Sequence, residues 1–313
     1  MTIPPESEAD RAPSNEPAVG RCGFAALIGR PNVGKSTLLN RLLGQRLAIT
    51  SDKAQTTRHA ILGIRTRGQS QVSYVDTPGI HQRGHGALNR YLNRTARARI
   101  ADVDLVLFLV EALRFTPEDA KALGLIAAAR VPVIAVVNKI DRVRDKSRLL
   151  PYLRELAARH AFLDLVPVSA VTGDQVERLE GRVMAALPEG ETIFAPDQLT
   201  DRSKRFLAAE LLREQLVRRY GDELPYRTTV EIKRFEDRGR RYRIAALVWV
   251  ERPGQKAIII GNRGESLKAT ASQARLRMQV LFDRPVHLDV WVKVKKSWSS
   301  NEMVLTRLGY TDP

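Results

Sequence analysis

The stretch that most constrains this chain is Gly29-Arg30-Pro31-Asn32-Val33-Gly34-Lys35-Ser36. It follows the apolar run Phe24–Ile28 and opens a segment, Lys35–Leu43, with Leu38, Leu39, Leu42 and Leu43 on one side and Gly44 as a stop. The pattern G-x-x-x-x-G-K-[ST] between a strand and a helix is a phosphate cradle. Its glycines let successive backbone N–H groups curl around a polyphosphate, and the helix N-terminus adds partial positive charge. Lys35 can reach the β- and γ-phosphates, and the Ser36 hydroxyl is placed for Mg²⁺. Thr37 closes the candidate contact set on the nucleotide side.

A cradle of this kind needs a buried sheet beneath it, and the chain as far as about Pro188 supplies one. Strands are predicted at Phe24–Ile28, Ala60–Arg65, Gln71–Val75, Asp104–Glu111, Val131–Asn138 and Leu163–Ser169. Helices are predicted at Lys35–Leu43, Pro117–Arg130, Lys146–His160 and Asp174–Leu187. Continuous runs such as VLFLV and VIAVV suit strands covered on both faces. The alternation predicts an α/β P-loop NTPase domain, doubly wound about a mostly parallel sheet.

Each further motif follows a strand. Asp76-Thr77-Pro78-Gly79 comes after Val75, with Ile80 next. An Asp at a strand end can hold Mg²⁺ through water, and the Gly79 N–H can meet a γ-phosphate and lose it on hydrolysis. Asn138-Lys139-Ile140-Asp141 ends the VPVIAVV strand. The Asp141 carboxylate can accept from guanine N1–H and its 2-amino group together. Adenine lacks that pair and would leave a buried acceptor unmet. An ATP-using enzyme therefore conflicts with Asp141. Ser169-Ala170-Val171 places backbone N–H groups where a guanine O6 would lie. The order of these motifs points to GTP and GDP as ligands.

The chain carries a net charge of +16, and residues 201–313 hold 24 Lys/Arg against 14 Asp/Glu. Such a balance favours polyanions, either nucleic acid or an acidic membrane surface. Cys22 is the lone cysteine, which excludes an internal disulfide and fits a reducing compartment. No apolar run approaches the roughly 20 residues needed to span a bilayer. Residues 1–19 read as a disordered tail, 20–190 as the nucleotide domain, 191–201 as a linker and 202–313 as a second domain.

The second domain reads as a small α+β module. A helix is predicted over Arg202–Tyr220, then strands Thr228–Phe235 and Tyr242–Glu251, a turn-helix segment, and a last strand, Pro285–Val294. After the run Ile258-Ile259-Ile260 comes Gly261-Asn262-Arg263-Gly264, a G-x-x-G loop. The element order and this loop are similar to the bacterial, type II form of the KH domain, in which the loop clamps a few single-stranded nucleotides. Candidate RNA contacts are Gly261, Asn262, Arg263, Gly264, Lys268, Lys256 and Arg275. Trp249, Trp291 and Trp298 read as packing residues rather than base-stacking platforms.

The motifs GRPNVGKSTLLNRLLGQ, KAQTTRH, VDTPGIH, NKID, DQLTDRS, RFLAAELLRE, ELPY, QKAIIIGNRG and WVKVKKSW occur here in the order found in the Era family of bacterial GTPases, which the chain resembles from about Gly20 to its end. The resemblance implies Thr57, in the loop before the second strand, as a further Mg²⁺ ligand beside Ser36 and Asp76, with Thr56 as the fallback. It implies Lys35, Thr57, Gly79 and Asn32 as catalytic residues. The Gln that orients water in Ras-like proteins is absent, since Ile80 and His81 follow Gly79. Asn32 matches relatives helped by a bound K⁺. The resemblance further implies a slow, monomeric GTPase that binds 16S rRNA near its 3′ end and assists maturation of the 30S subunit. It also implies a cytoplasmic protein, partly peripheral at the inner face of the cell membrane. Two rivals stay open: a second domain that docks mainly on membrane or protein, and a GTPase tied to tRNA modification, which the single Cys22 disfavours.

Overall fold

In the computed structural model the described residues are 20–50, 58, 61–76, 102–220, 224–296, 298–300, 303 and 305. Strand β4 (Leu105–Glu111) is buried at every position before Glu111, and β5 (Val133–Asn138) throughout. Strands apolar on both faces must be sandwiched by helices. They are joined by β1 (Cys22–Ile28), β2 (Ile61–Arg67), β3 (Ser70–Asp76) and β6 (Asp164–Pro167) in the order β2-β3-β1-β4-β5-β6. Only β2 runs antiparallel to its neighbour. Helices α1 (Lys35–Leu43) and α4 (Val176–Ala186) bury Leu38, Leu39, Leu179 and Val183 on one face. On the other, α2 (Pro117–Ala129) and α3 (Leu149–Ala157) bury Ala122, Ile126 and Leu156. The doubly wound expectation therefore holds. The strand order reverses at β1, between β3 and β4, so a crevice opens at the carboxyl ends of these strands.

Several elements are shorter than their sequence patterns suggested, and for two the structure shows why. The helix predicted from Lys146 begins as a 3₁₀ turn, Lys146–Arg148, because the Asp145 carboxylate accepts from Ser147 N–H at 3.0 Å and caps it. The last strand of the sheet stops at Pro167, since Ser169 N–H turns to bond Asp174 O within a loop. The proposed tail lies outside the described residues.

The connecting stretch is fastened to the sheet edge. The Gln71 side chain donates to Phe194 O at 2.9 Å and accepts from the N–H groups of Ile193 and Phe194 at 3.0 and 2.9 Å. Ile64 N–H bonds Leu199 O at 2.8 Å. Beyond it, α5 (Lys204–Arg219) starts at the Ser203 N-cap and leads into β7 (Thr228–Asp237) and β8 (Tyr242–Val250). Helices α6 (Pro253–Ile260) and α7 (Glu265–Phe282) and strand β9 (Val286–Val294) follow. The three strands form a sheet in the order β7-β8-β9 with β9 parallel to β8. Trp298 is fully buried and Trp249 partly so, but Trp291 is 54% exposed. For Trp291 the packing expectation is corrected: in β9 it alternates with buried Val292 and points away from the helices.

The two domains meet on polar contacts. The Glu214 carboxylate, on α5 and 1% exposed, accepts from Arg46 at 3.0 Å and from Thr50 N–H at 3.4 Å, and pairs with Arg218 at 2.9 Å. Arg218 also donates to Thr50 O at 3.0 Å. Past the next stretch of chain, buried Arg58 donates to Thr228 O at 2.8 Å and lies 5.8 Å from the Trp298 ring centroid. Burial pushes the Glu214 carboxyl above its usual range, with Arg46 the chief opposing charge. Removing one partner of such a cluster leaves charge uncompensated. Glu214→Ala is expected to cost about 2 kcal/mol, discounted for the half-exposed arginines, which lowers the melting temperature by about 4–8 °C in calorimetry.

Candidate nucleotide site and G-x-x-G loop

The loop between β1 and α1 is shaped by its own backbone. Asn32 and Gly34 have φ of 62° and 106°, and a Cβ on Gly34 would stand 2.2 Å from the Asn138 side-chain nitrogen. No side chain fits there. Asn138, the last residue of β5, donates through Nδ2 to Val33 O at 2.8 Å and accepts through Oδ1 from Ala170 N–H at 3.0 Å. One amide thus ties the cradle to the Ser169–Ala170 turn.

Lys35 is 7% exposed, and its ammonium donates to Gly29 O at 2.9 Å and Arg30 O at 3.1 Å. Burial lowers its pKa to about 8, with Asp76 the main opposing influence. A group held this way gains more from an incoming polyanion than an exposed lysine does. The Arg30 side chain points elsewhere, pairing with Glu111 at 2.5 Å and Asp119 at 3.2 Å. Burial alone would raise the Glu111 carboxyl, but Arg30 and Lys139 outweigh it and hold it below the usual carboxylate range. Asp119 is at once the capping-box partner of Thr116 at the start of α2. Arg30 therefore locks the loop to the sheet and a helix end.

Ser36 Oγ donates to Asp76 Oδ2 at 2.7 Å, although the two lie 40 residues apart in sequence. A hydroxyl and a carboxylate converging at the end of β3 form a hard oxygen donor set, which fits Mg²⁺. Across the crevice, Ser169 Oγ donates to Asp141 Oδ1 at 2.6 Å and accepts from Thr172 N–H at 3.1 Å. Lys139, at φ 67°, carries the chain from β5 into the short turn that holds Asp141, and its ammonium stands 3.3 Å from Glu111. Val171 is exposed at the rim. Thr56, Thr57, Thr77, Pro78, Gly79, Ile80 and His81 lie outside the described residues.

In the second domain, the G-x-x-G loop joins α6 to α7. Gly261, Arg263 and Gly264 all have positive φ, at 70°, 48° and 82°. A Cβ on Gly261 would come within 2.6 Å of Ser266 Cβ, whereas one on Gly264 would meet open space. Asn262, Arg263 and Lys268 are exposed, while Lys256 is half-buried and Arg275 is half-buried with its guanidinium on Gln279 at 3.1 Å. Beneath the loop the Tyr220 hydroxyl contacts Ile259 O at 2.8 Å and Ser266 Oγ at 2.9 Å. Sequence reasoning missed Tyr220, Asn138 as a bridge between loops, and the separate domain contacts of Glu214 and Arg58. A terminal helix tyrosine carries no motif, and the other contacts join segments far apart in sequence.

With this geometry in view, comparison with known proteins is decisive. Residues 24–139 match the family described as 50S ribosome-binding GTPase, and residues 223–299 match the KH domain. GTPase Era of Pseudomonas syringae pv. tomato is 53% identical over 95% of this chain and 99% of its own length. The chain belongs to the Era family of GTPases. GTPase Era of Azotobacter vinelandii is likewise 53% identical, over 93% of this chain and 97% of its own length. In three dimensions the fold is similar to an Aquifex aeolicus Era variant bound to GDP·AlF₄⁻, with a TM-score of 0.90 at 34% identity, covering 93% of this chain and 99% of the other. The protein is thus a GTPase with a carboxyl-terminal KH domain.

Lys35 makes the site pH-dependent in a defined sense. Its folded pKa, about 8, lies below the ordinary 10.5, so the cost of burying its charge is present below pH 8 and disappears above 10.5. Phosphate restores the proton. Calorimetry of GDP binding at about pH 8.5, in buffers of different ionisation enthalpy, should reveal proton uptake that fades toward neutral pH. The Lys35→Met variant should show no such uptake.

Proposed function

We propose that this chain is a GTP-driven switch that binds 16S rRNA near its 3′ end and assists maturation of the small ribosomal subunit. The observation carrying this reading is its similarity to an Era structure in complex with MgGDPNP and nucleotides 1506–1542 of 16S ribosomal RNA, at a TM-score of 0.90 over 93% of the chain. The exposed G-x-x-G loop and the basic second domain support the same reading.

In this reading the backbone of Gly29–Ser36 wraps the phosphates, with Thr37 next to them, while Lys35 faces the β- and γ-oxygens. Asp141 selects guanine, assisted by Asn138, Lys139 and the Ser169–Val171 turn. Ser36, Asp76 and Thr57 hold Mg²⁺, which, when bound, neutralises charge on the transferring phosphoryl group. Thr77–Ile80 contributes the Gly79 N–H toward the γ-phosphate. Asn32, already in a left-handed conformation at φ 62°, is the candidate partner for K⁺. We assign slow intrinsic turnover, because no water-orienting Gln follows Gly79. The protein acts as a cytoplasmic monomer with peripheral attachment to the membrane's inner face.

The contacts of Glu214, Arg218 and Thr228 with Thr50 and Arg58 support a coupling between domains. They hold the chain on both sides of Thr57. A loop drawn toward GTP must pull on these attachments, and linkage makes the effect reciprocal: if GTP raises RNA affinity, RNA raises GTP affinity equally.

Asp141→Asn should move base preference from guanine to xanthine by at least about 100-fold in competition binding. Gly264→Asp, which has space but a strained φ, should abolish RNA binding while leaving GTP turnover intact. Gly261→Asp would distort the Ser266 turn as well and is the less clean probe. Equal hydrolysis rates in Na⁺ and K⁺ buffers would remove the K⁺ assignment, and equal RNA affinities of the GTP-analogue and GDP forms would remove the switch.

A further inference from the structure

Among the described residues, the KH sheet has helices over one face and none over the other. On β8, Ile244, Ala246, Val248 and Val250 enter the core with Val286 and Val292 of β9. Period-two alternation turns the intervening residues outward. These include Arg243 and Trp249 on β8, and His287, Asp289, Trp291 and Lys293 on β9. This face lies opposite α6, α7 and the G-x-x-G loop between them.

At one end of the face the β7–β8 turn forms a cleft of about 790 Å³ lined by Arg238, Arg240, Arg241, Arg243 and His287. Arg238 is paired with Glu236 at 2.7 Å, and Arg243 and His287 share Asp289 at 3.9 and 3.2 Å. Among the described residues no carboxylate pairs with Arg240 or Arg241, and both are exposed. Four guanidinium forks around one concavity match phosphate oxygens better than any neutral ligand. Four residues along β9, about 13 Å away, stands Trp291, which is 54% exposed. Further along, Lys295 lies 5.5 Å from the Trp249 ring centroid.

We propose that this helix-free face is a second RNA-binding surface, gripping backbone phosphates in the arginine cleft and stacking a base on Trp291. Open sheets carrying aromatics and basic residues bind single strands in this manner elsewhere. A G-x-x-G loop clamps about four nucleotides on the helix side, so only RNA long enough to pass around the sheet reaches both surfaces. An anionic membrane is the weaker occupant. Surface insertion needs a continuous apolar stripe, and here Asp289 and Lys293 stand on either side of Trp291 along β9, while its cross-strand neighbour Leu247 is buried. The proposal rests on the reading that the second domain binds RNA.

The test compares the full-length protein with the Arg240→Gln/Arg241→Gln double variant and with Trp291→Ala. All three positions are exposed, so the variants should fold, as circular dichroism will verify. Binding of the 1506–1542 fragment is measured beside short single strands of about six nucleotides tiled from it. Both variants should weaken the long RNA by about 10-fold and leave the short strands and GTP turnover unchanged. The double variant should flatten the salt dependence of long-RNA binding by about 1.4 log units per log unit of salt. Equal loss for both lengths, or no loss for either while Gly264→Asp abolishes binding, overturns the second surface and leaves the first standing. Loss of binding to phosphatidylglycerol vesicles with RNA affinity intact overturns it in favour of a membrane. If the unmodified protein binds neither RNA, the RNA reading itself falls, and this surface with it.

Discussion

Two loops at the mouth of the nucleotide crevice converge on the side chain of Asn138. Its amide nitrogen holds the carbonyl of Val33 and its oxygen holds the N–H of Ala170. The phosphate-binding loop and the base-binding turn therefore share a fixed origin at the end of β5. Because a Cβ at position 34 would collide with that same amide, glycine is required there by packing as well as by its φ. The cradle is consequently preformed. Its ordering is accomplished during folding rather than charged against ligand affinity.

A second layer of charge supports this arrangement from behind. Arg30 links the loop to Glu111 and to Asp119, which also caps α2. Lys139 converges on the same Glu111. Two motif residues that read as nucleotide contacts in sequence thus spend their side chains on one carboxylate at the end of β4, so only their backbone remains to meet a ligand from that direction. This division of labour explains how a short loop of mostly small residues keeps one shape.

Much of the fold was legible because its signals are local. Fully apolar runs announced buried strands, and each ligand-binding motif sat at the end of one. Boundaries were less legible where a side chain intervenes: Asp145 caps a turn that periodicity assigns to helix. The Trp291 face was misread because a tryptophan in an alternating strand looks the same whether a helix covers it or not. The domain contacts were invisible for a different reason. Glu214 meets Arg46 across 168 residues, and Arg58 meets Thr228 across 170, with no motif at either end. Charged residues on an amphipathic helix read as solvated, and only the approach of another domain makes Glu214 a buried hub.

The fastening of the connector along β2 and β3 limits how the halves can move. Its last anchor is Leu199, and α5 begins at Lys204, so the slack is confined to Thr200–Ser203. Fully stretched, such a leash reaches about 14 Å. Even with the Glu214 and Arg58 contacts released, the carboxyl-terminal half would stay tethered within that reach of the sheet edge, which bounds its distance from the crevice.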